Sequence, residues 1–425
     1  MRRHRRLLTL LFMITSMGYA QTSAPSEREM IEQLGQQVKA LQEQVKLLES
    51  QEQRSAADPN NTADVHTVGR TAAAADDASG PQHEPFLQGL HELHGIQWKG
   101  FAEVNYKVLD QRTPQFGSYG FVSGSHGNFY VGDFDLLLTA RINDKASFLS
   151  EIVFEEEDAQ GFGVDLERML LKYDYSDHLR MSFGRYHTAI GYYNTAFHSG
   201  SWLQTTADRP LIMEFANHGG LLPTQAIGVS VTGEIPSGKL GLNYIAEYGS
   251  SDTIRPDLDG VSLEDENNGN LINVGLFIRP QSVPGLQIGG SIYHDKISDA
   301  VQGNARLGQT IANAHLVYTG HKIEFLNEGF LIRHAYEQSG IVYNMPAFYS
   351  QIAKQFGRVR PFFRYQYINA NPQGFLEDIS LLRGPSFGAR YDFNDNIAFK
   401  TQLDHILRKG QPDLNGLHFQ LAFTF

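Results

Sequence analysis

From residue 95 onward the chain alternates apolar and polar side chains with a period of two. GIQWKGFAEVNYKV, residues 95–108, sets Trp98, Ala102, Val104, Tyr106 and Val108 on one face and Gln97, Lys99, Glu103, Asn105 and Lys107 on the other. DFDLLLTARI, residues 133–142, opposes Phe134, Leu136, Leu138, Ala140 and Ile142 to Asp133, Asp135, Thr139 and Arg141. The pattern returns at Met169/Leu171/Tyr173/Tyr175, Ile227/Val229/Val231, Leu240/Leu242/Tyr244/Ala246/Tyr248 and Ile272/Val274/Leu276/Ile278. It closes with Val359/Phe363/Tyr365/Tyr367, Phe387/Ala389/Tyr391/Phe393, Ile397/Phe399/Leu403 and the terminal GLHFQLAFTF. Successive side chains of a strand point to opposite faces, so each stretch predicts a strand with one apolar face. Between residues 320 and 354 apolar and polar positions change parity.

Alternation alone fits a soluble β-sandwich equally well, so the connections must decide. Short turns fall at Asn143-Asp144-Lys145, Ser176-Asp177-His178, Pro236-Ser237-Gly238, 280–285, 319–322, Phe356-Gly357-Arg358 and Asn394-Asp395-Asn396. Between them lie longer loops at 110–127, 156–164, 186–224, 249–270, 295–309, 334–345, 369–385 and 409–416. Seven turns and eight loops join sixteen strands, with both ends of the series on one side. That rhythm is the plan of outer-membrane barrels, with tight turns on one rim and long loops on the other. The expected fold class is therefore all-β: a transmembrane, antiparallel, up-and-down barrel of 16 strands over residues 95–425. At this strand number an aqueous channel remains inside. By parity the inner face carries Arg141, Glu151, Glu155, Arg168, Lys172, Arg180, Asn273, Arg279, Arg360, Arg364, Arg390, Lys400, Gln402 and Asp404. An arginine facing lipid at the midplane would cost ~2–4 kcal/mol, so these positions require water or partners.

Ahead of the barrel the chain changes character three times. Residues 1–20, MRRHRRLLTLLFMITSMGYA, join four arginines to an apolar run and end on Gly18 and Ala20, as in a cleavable signal peptide. Its removal takes the formal charge from −12 to −16. In residues 27–53, Ile31, Leu34, Val38, Leu41, Val45 and Leu48 repeat at alternate spacings of three and four. This a/d seam predicts a short coiled-coil oligomerisation helix, placed in the periplasm. Residues 54–94, rich in Ala, Asp, Asn, Ser and Thr and without period, read as a flexible linker.

The longest loop, 186–224, is YHTAIGYYNTAFHSGSWLQTTADRPLIMEFANHGGLLPT, too apolar for a freely solvated segment. In a wide barrel the lumen can bury it, which makes it a candidate constriction. The alternative is packing over a neighbouring subunit or the outer rim. With the loop in the lumen, Asp208, Arg209 and Glu214, together with His198 and His218, would face inward glutamates and the arginines Arg141, Arg168, Arg180, Arg279, Arg360, Arg364 and Arg390 across a pore.

Composition removes other classes. The negative balance argues against nucleic acid as a partner. With no cysteine, thiol catalysis and Cys-ligated zinc are excluded. His91-Glu92-Leu93-His94 lacks the histidine spacing of HExxH. In Asp257-Leu258-Asp259-Gly260 the glycine is out of register for an EF-hand. No motif calls for a cofactor, a metal or a catalytic residue, and the chain reads as a non-enzyme. Expected partners are outer-membrane lipid and lipopolysaccharide, other copies of the chain, the barrel-assembly machinery and small hydrophilic solutes.

The opening LHGIQWKGFAEVNY, the central MSFGRYHTAIGYYN and the terminal FQLAFTF resemble the phosphate-selective porin O and P family. The likeness spans residues 95–425 and implies a trimeric sixteen-stranded porin admitting small anions such as phosphate, with inward arginines and lysines lining the path. This chain departs from that pattern in having twelve lysines in all and none between Lys172 and Lys239. A coiled coil ahead of a barrel also resembles sugar-specific porins, where Tyr192, Tyr193, Phe197 and Trp202 would form an aromatic slide. Further alternatives are a barrel that chiefly tethers the envelope layers without major channel activity and, behind it, an outer-membrane barrel enzyme. Leu421, Phe423 and Phe425, alternating to a terminal aromatic, resemble an assembly signal.

Overall fold

The computed structural model describes residues 96–110, 127–157, 161–214, 220–251, 270–299, 305–371, 373–374 and 379–425. The expected signal peptide, coiled coil and linker lie outside these residues, as does His218.

Sixteen strands follow one another in chain order. They are β1 (Ile96–Leu109), β2 (Asn128–Arg141), β3 (Ala146–Glu157), β4 (Gly161–Ser176), β5 (Leu179–His187), β6 (Gln225–Ile235), β7 (Leu242–Ser251) and β8 (Leu271–Ile278). The second half comprises β9 (Leu286–Asp299), β10 (Ala305–Gly320), β11 (Ile323–Tyr336), β12 (Val342–Lys354), β13 (Val359–Asn369), β14 (Leu381–Asp392), β15 (Ile397–Arg408) and β16 (Leu414–Thr424). Each strand pairs with its sequence neighbours, and β1 closes the barrel against β16. The closing register runs antiparallel from Phe101 opposite Thr424 to Leu109 opposite Gly416. Closure leaves no unpaired strand edge, which the interior of a bilayer demands. Gly100 exchanges backbone hydrogen bonds with Phe425 at 2.8 and 3.0 Å. A Cβ at Gly100 would lie 2.3 Å from the Phe425 ring, so glycine gives the last aromatic room to fold across the seam.

The seven short turns occur where the sequence places them. Asn143 Oδ1 accepts the N–H groups of Lys145 and Ala146 at 2.9 Å, and Asn394 Oδ1 those of Asn396 and Ile397 at 2.8 Å. Both are side-chain turns of the Asx kind. His321 and Lys322 form a two-residue hairpin loop with φ of 51° and 65°, the twist that such loops need.

Several long loops are shorter than the sequence suggests. β3 and β4 extend to Glu157 and from Gly161, β9 and β10 to Asp299 and from Ala305, β11 and β12 to Tyr336 and from Val342. β14 begins at Leu381 and β16 at Leu414. Beyond the lipid band both faces are wet, so alternation fades while backbone pairing continues.

The outer face is apolar: Val104, Met169, Leu171, Val274, Ile292, Phe363, Phe387 and Leu421 are among its exposed side chains. The inner face is not uniformly polar. In β10–β12 Ile311, Val317, Leu326, Phe330, Ile332, Met345 and Tyr349 point inward and are buried. That is why parity fails between 320 and 354: both faces of this sector meet apolar surroundings, lipid outside and a loop inside.

Candidate functional site

The loop between β5 and β6 supplies that inner surface. It holds a short helix, α1 (Tyr193–Phe197), and single 3-10 turns at Ser201–Leu203 and Leu211–Met213. Its apolar residues Ile190, Tyr192, Tyr193, Phe197, Leu211, Ile212, Met213, Leu221 and Leu222 are buried in one cluster with inward side chains of β10–β13. Glu328 of β11 accepts the N–H groups of Tyr192 and Tyr193 at 2.6 and 2.9 Å, and the Tyr349 hydroxyl at 2.6 Å. On the other flank both carboxylate oxygens of Glu247 on β7 accept the Ala189 N–H, at 3.2 and 3.1 Å.

The loop's second half is held by cations. Lys400 Nζ donates to the carbonyls of Ser201 and, at 3.0 Å, Thr206. Arg390 donates to the carbonyls of Trp202 and Gln204 and to Asp392, and its guanidinium lies 5.2 Å over the Trp202 ring. Arg364 donates to Thr206 Oγ1 at 3.2 Å and the Asp208 carbonyl at 2.9 Å, while Arg360 reaches Thr205 Oγ1 at 3.2 Å. Gln402 and Gln366 accept loop N–H groups at Ala207, Asp208 and Leu211. A loop that satisfies its backbone against strands all round the wall lies in the lumen, not over the rim.

Asp208 is the electrostatic centre of the loop. Lys107 Nζ donates to it at 3.1 Å and His418 Nδ1 lies 3.0 Å away. Burial alone would raise this carboxyl, but Lys107 and His418 outweigh it and hold Asp208 far below the usual aspartate range.

The expected site residues thus separate into groups. Asp208, Arg360, Arg364 and Arg390 meet at the loop's second half. Arg209 donates to the His198 carbonyl at 2.6 Å, so it braces the loop internally. Arg168 donates to Glu151 at 2.6 Å and to Ser199 at 3.0 Å. Glu214 is buried after the Leu211–Met213 turn. Arg279 bonds Gln287 at 2.9 Å and covers Phe277 near a short turn. Arg141 and Arg180 have the inward parity but sit at strand ends on the short-turn rim, each exposed and paired with its own turn's Asp144 or Asp177. They are rim residues rather than constriction residues. Tyr192, Tyr193 and Phe197 are buried in packing, and Trp202 lies between Phe101 and Arg390. They offer no open aromatic path.

One group has no sequence signature. Glu167, His187 and His198 bring three ligand-type atoms within 4.8 Å of one another. Parity hides Glu167: β3 and β4 shift register so that Glu151 faces Arg168 and Ile152 faces Leu166. The bulge leaves Glu167 as the extra residue and turns it off the lipid face. Burial, reinforced by Arg209, Arg168 and Arg185, pulls the His198 imidazole well below the usual histidine range.

No protein-family model matches the sequence, and no curated protein matches it. Solved structures do match. An anion-selective porin from Comamonas acidovorans is 9% identical with a TM-score of 0.54, the match covering 78% of this chain and 99% of that one. The outer membrane channel DcaP of Acinetobacter baumannii is 10% identical with a TM-score of 0.52, over 78% and 97% of the two chains. OmpF of Salmonella typhi is 12% identical with a TM-score of 0.51, over the same 78% and 97%. At such identities the likeness is one of fold: the described chain has the barrel architecture of outer-membrane porins.

Proposed function

We propose that the chain is an outer-membrane porin through which small hydrophilic solutes diffuse passively, with the loop between β5 and β6 setting the width and charge of the path. The carrying observation is that this loop folds into a sixteen-stranded barrel and is bonded to its wall from β1 to β16. Such a device narrows a lumen that would otherwise be wide. Diffusion needs no bond made or broken, so the reading is of a channel and not of an enzyme. Small anions, phosphate among them, are the finer part of the proposal. That part rests on the cations gathered on β13–β15, Arg360, Arg364, Arg390 and Lys400, and on the likeness to the anion-selective porin of Comamonas acidovorans. A trimer is the matching proposal for assembly, as in the trimer form of the Vibrio cholerae outer membrane protein OmpT, a structure 11% identical with a TM-score of 0.51.

Reversal potentials across a planar bilayer in a salt gradient test the solute class. The expected sign is that of anion preference. A cation-selective sign would remove the anion proposal while leaving the channel.

A further inference from the structure

We infer that Glu167, His187 and His198 form a binding site for a divalent first-row metal ion of the zinc class, pinning the folded-in loop to the barrel wall. Two ligands come from the wall, Glu167 on β4 and His187 on β5, and the third from the loop just after α1. Glu167 Oε2 lies 3.2 Å from His198 Nε2 and 3.6 Å from His187 Nε2. An ion bound at 2.0–2.1 Å in tetrahedral geometry places its donors about 3.3 Å apart. The two imidazoles are stacked, centroids 3.6 Å apart and planes 24° from parallel, so one ring must turn for both to bind an ion in plane.

The hydrogen bonds decide which way the donors face. Asn194 Nδ2 donates to the carbonyls of Thr188 and Thr224, both at 2.8 Å. Its Oδ1 is therefore the acceptor turned to His198 Nδ1 at 2.8 Å. The Nδ1 proton is thus assigned by the network, which turns His198 Nε2 toward the Glu167 carboxyl. His187 Nε2 is buried without a hydrogen-bond partner beside the same carboxylate and 3.6 Å from Glu151 Oε2. Three ligand-type atoms within 4.8 Å of one another in a buried place, one of them without a hydrogen-bond partner, offer a cation a seat between them.

The surroundings resemble those of a built metal site. A backbone-anchored amide orients one ligand histidine, which is how outer partners set ligand tautomers. Gln225 donates to Glu167 and is itself oriented by Arg185. The carboxyl groups of Asp135, Glu151 and Asp165 and the guanidiniums of Arg168, Arg185 and Arg209 surround the trio. Two imidazoles and one carboxylate, with a fourth position left over, suit zinc and its neighbours better than calcium or magnesium.

The test is equilibrium dialysis of the folded full chain in detergent, stripped with chelator and then loaded with Zn²⁺, with metal counted by elemental analysis. The inference expects about one ion per chain, lost in Glu167→Gln and His198→Gln. Asn194→Ala should weaken binding by about 10–100-fold. X-ray absorption of the zinc-loaded wild type needs no variant and should report two imidazoles and one carboxylate at ~2.0–2.1 Å. No retained zinc, undiminished zinc in folded variants, or a different ligand set would each overturn it. The outcome is independent of solute passage, so the channel proposal can fail without it.

Discussion

Asp208 shows how much one buried charge carries. It joins Lys107 on β1 and His418 on β16 to a loop of distant sequence, across the seam that closes the barrel. Asp208→Asn removes the carboxylate that the fully buried Lys107 donates to. Removing one partner of a buried pair costs about 3–5 kcal/mol. Thermal unfolding should therefore show a large loss. The pH dependence has a definite sign. Because the folded-state carboxyl is held low, its stabilisation is complete above the ordinary aspartate value of ~3.9 and is lost as pH falls below it. The stability gap between wild type and Asp208→Asn should be constant near neutrality and close only in strong acid. A gap that narrows near pH 7 would assign the effect elsewhere. Asp208 was legible in the sequence as a charged loop residue, but its partners were not, because Lys107 lies 101 positions away.

At the scale of elements, the loop and its wall are separable. Arg364 and Arg390 grip loop carbonyls, while the strand ladders β13–β14 and β14–β15 are backbone-made. Arg364→Ala combined with Arg390→Ala should leave a folded barrel by circular dichroism and raise single-channel conductance. Unchanged conductance would place the loop outside the path. Gly184 offers a test of the wall itself. Its φ is 128°, and a Cβ there would sit 1.9 Å from the Met169 carbonyl oxygen. Gly184→Ala should destabilise the barrel by about 1–3 kcal/mol, read as a lower unfolding temperature. Strands and short turns were readable because lipid outside and polar groups inside impose alternation. The signal failed where that contrast vanished: at β10–β12, whose inner face meets an apolar loop, and at Glu167, where a bulge reverses the parity. The trio with His187 and His198 is an accident of neither spacing nor motif; only the fold assembles it.

At the scale of the molecule, the last strand explains why closure is exact in register. Phe425 pairs with Gly100 and its ring lies 5.8 Å from that of Phe134, so the terminal residue knits β16 to β1 and β2. Deleting Phe425 should slow appearance of the folded, heat-modifiable form on gels; unaltered kinetics would leave the terminal aromatic a packing residue only. Barrel, seam and inner loop together make a narrowed path through the wall, and conduction is its direct consequence. The decisive measurement is single-channel current from the folded full chain in a planar bilayer. A channel narrowed by the inner loop predicts discrete steps of small, reproducible conductance that grow when Arg364 and Arg390 are both replaced by alanine. Folded barrels that insert and carry no current, before and after that replacement, would contradict it.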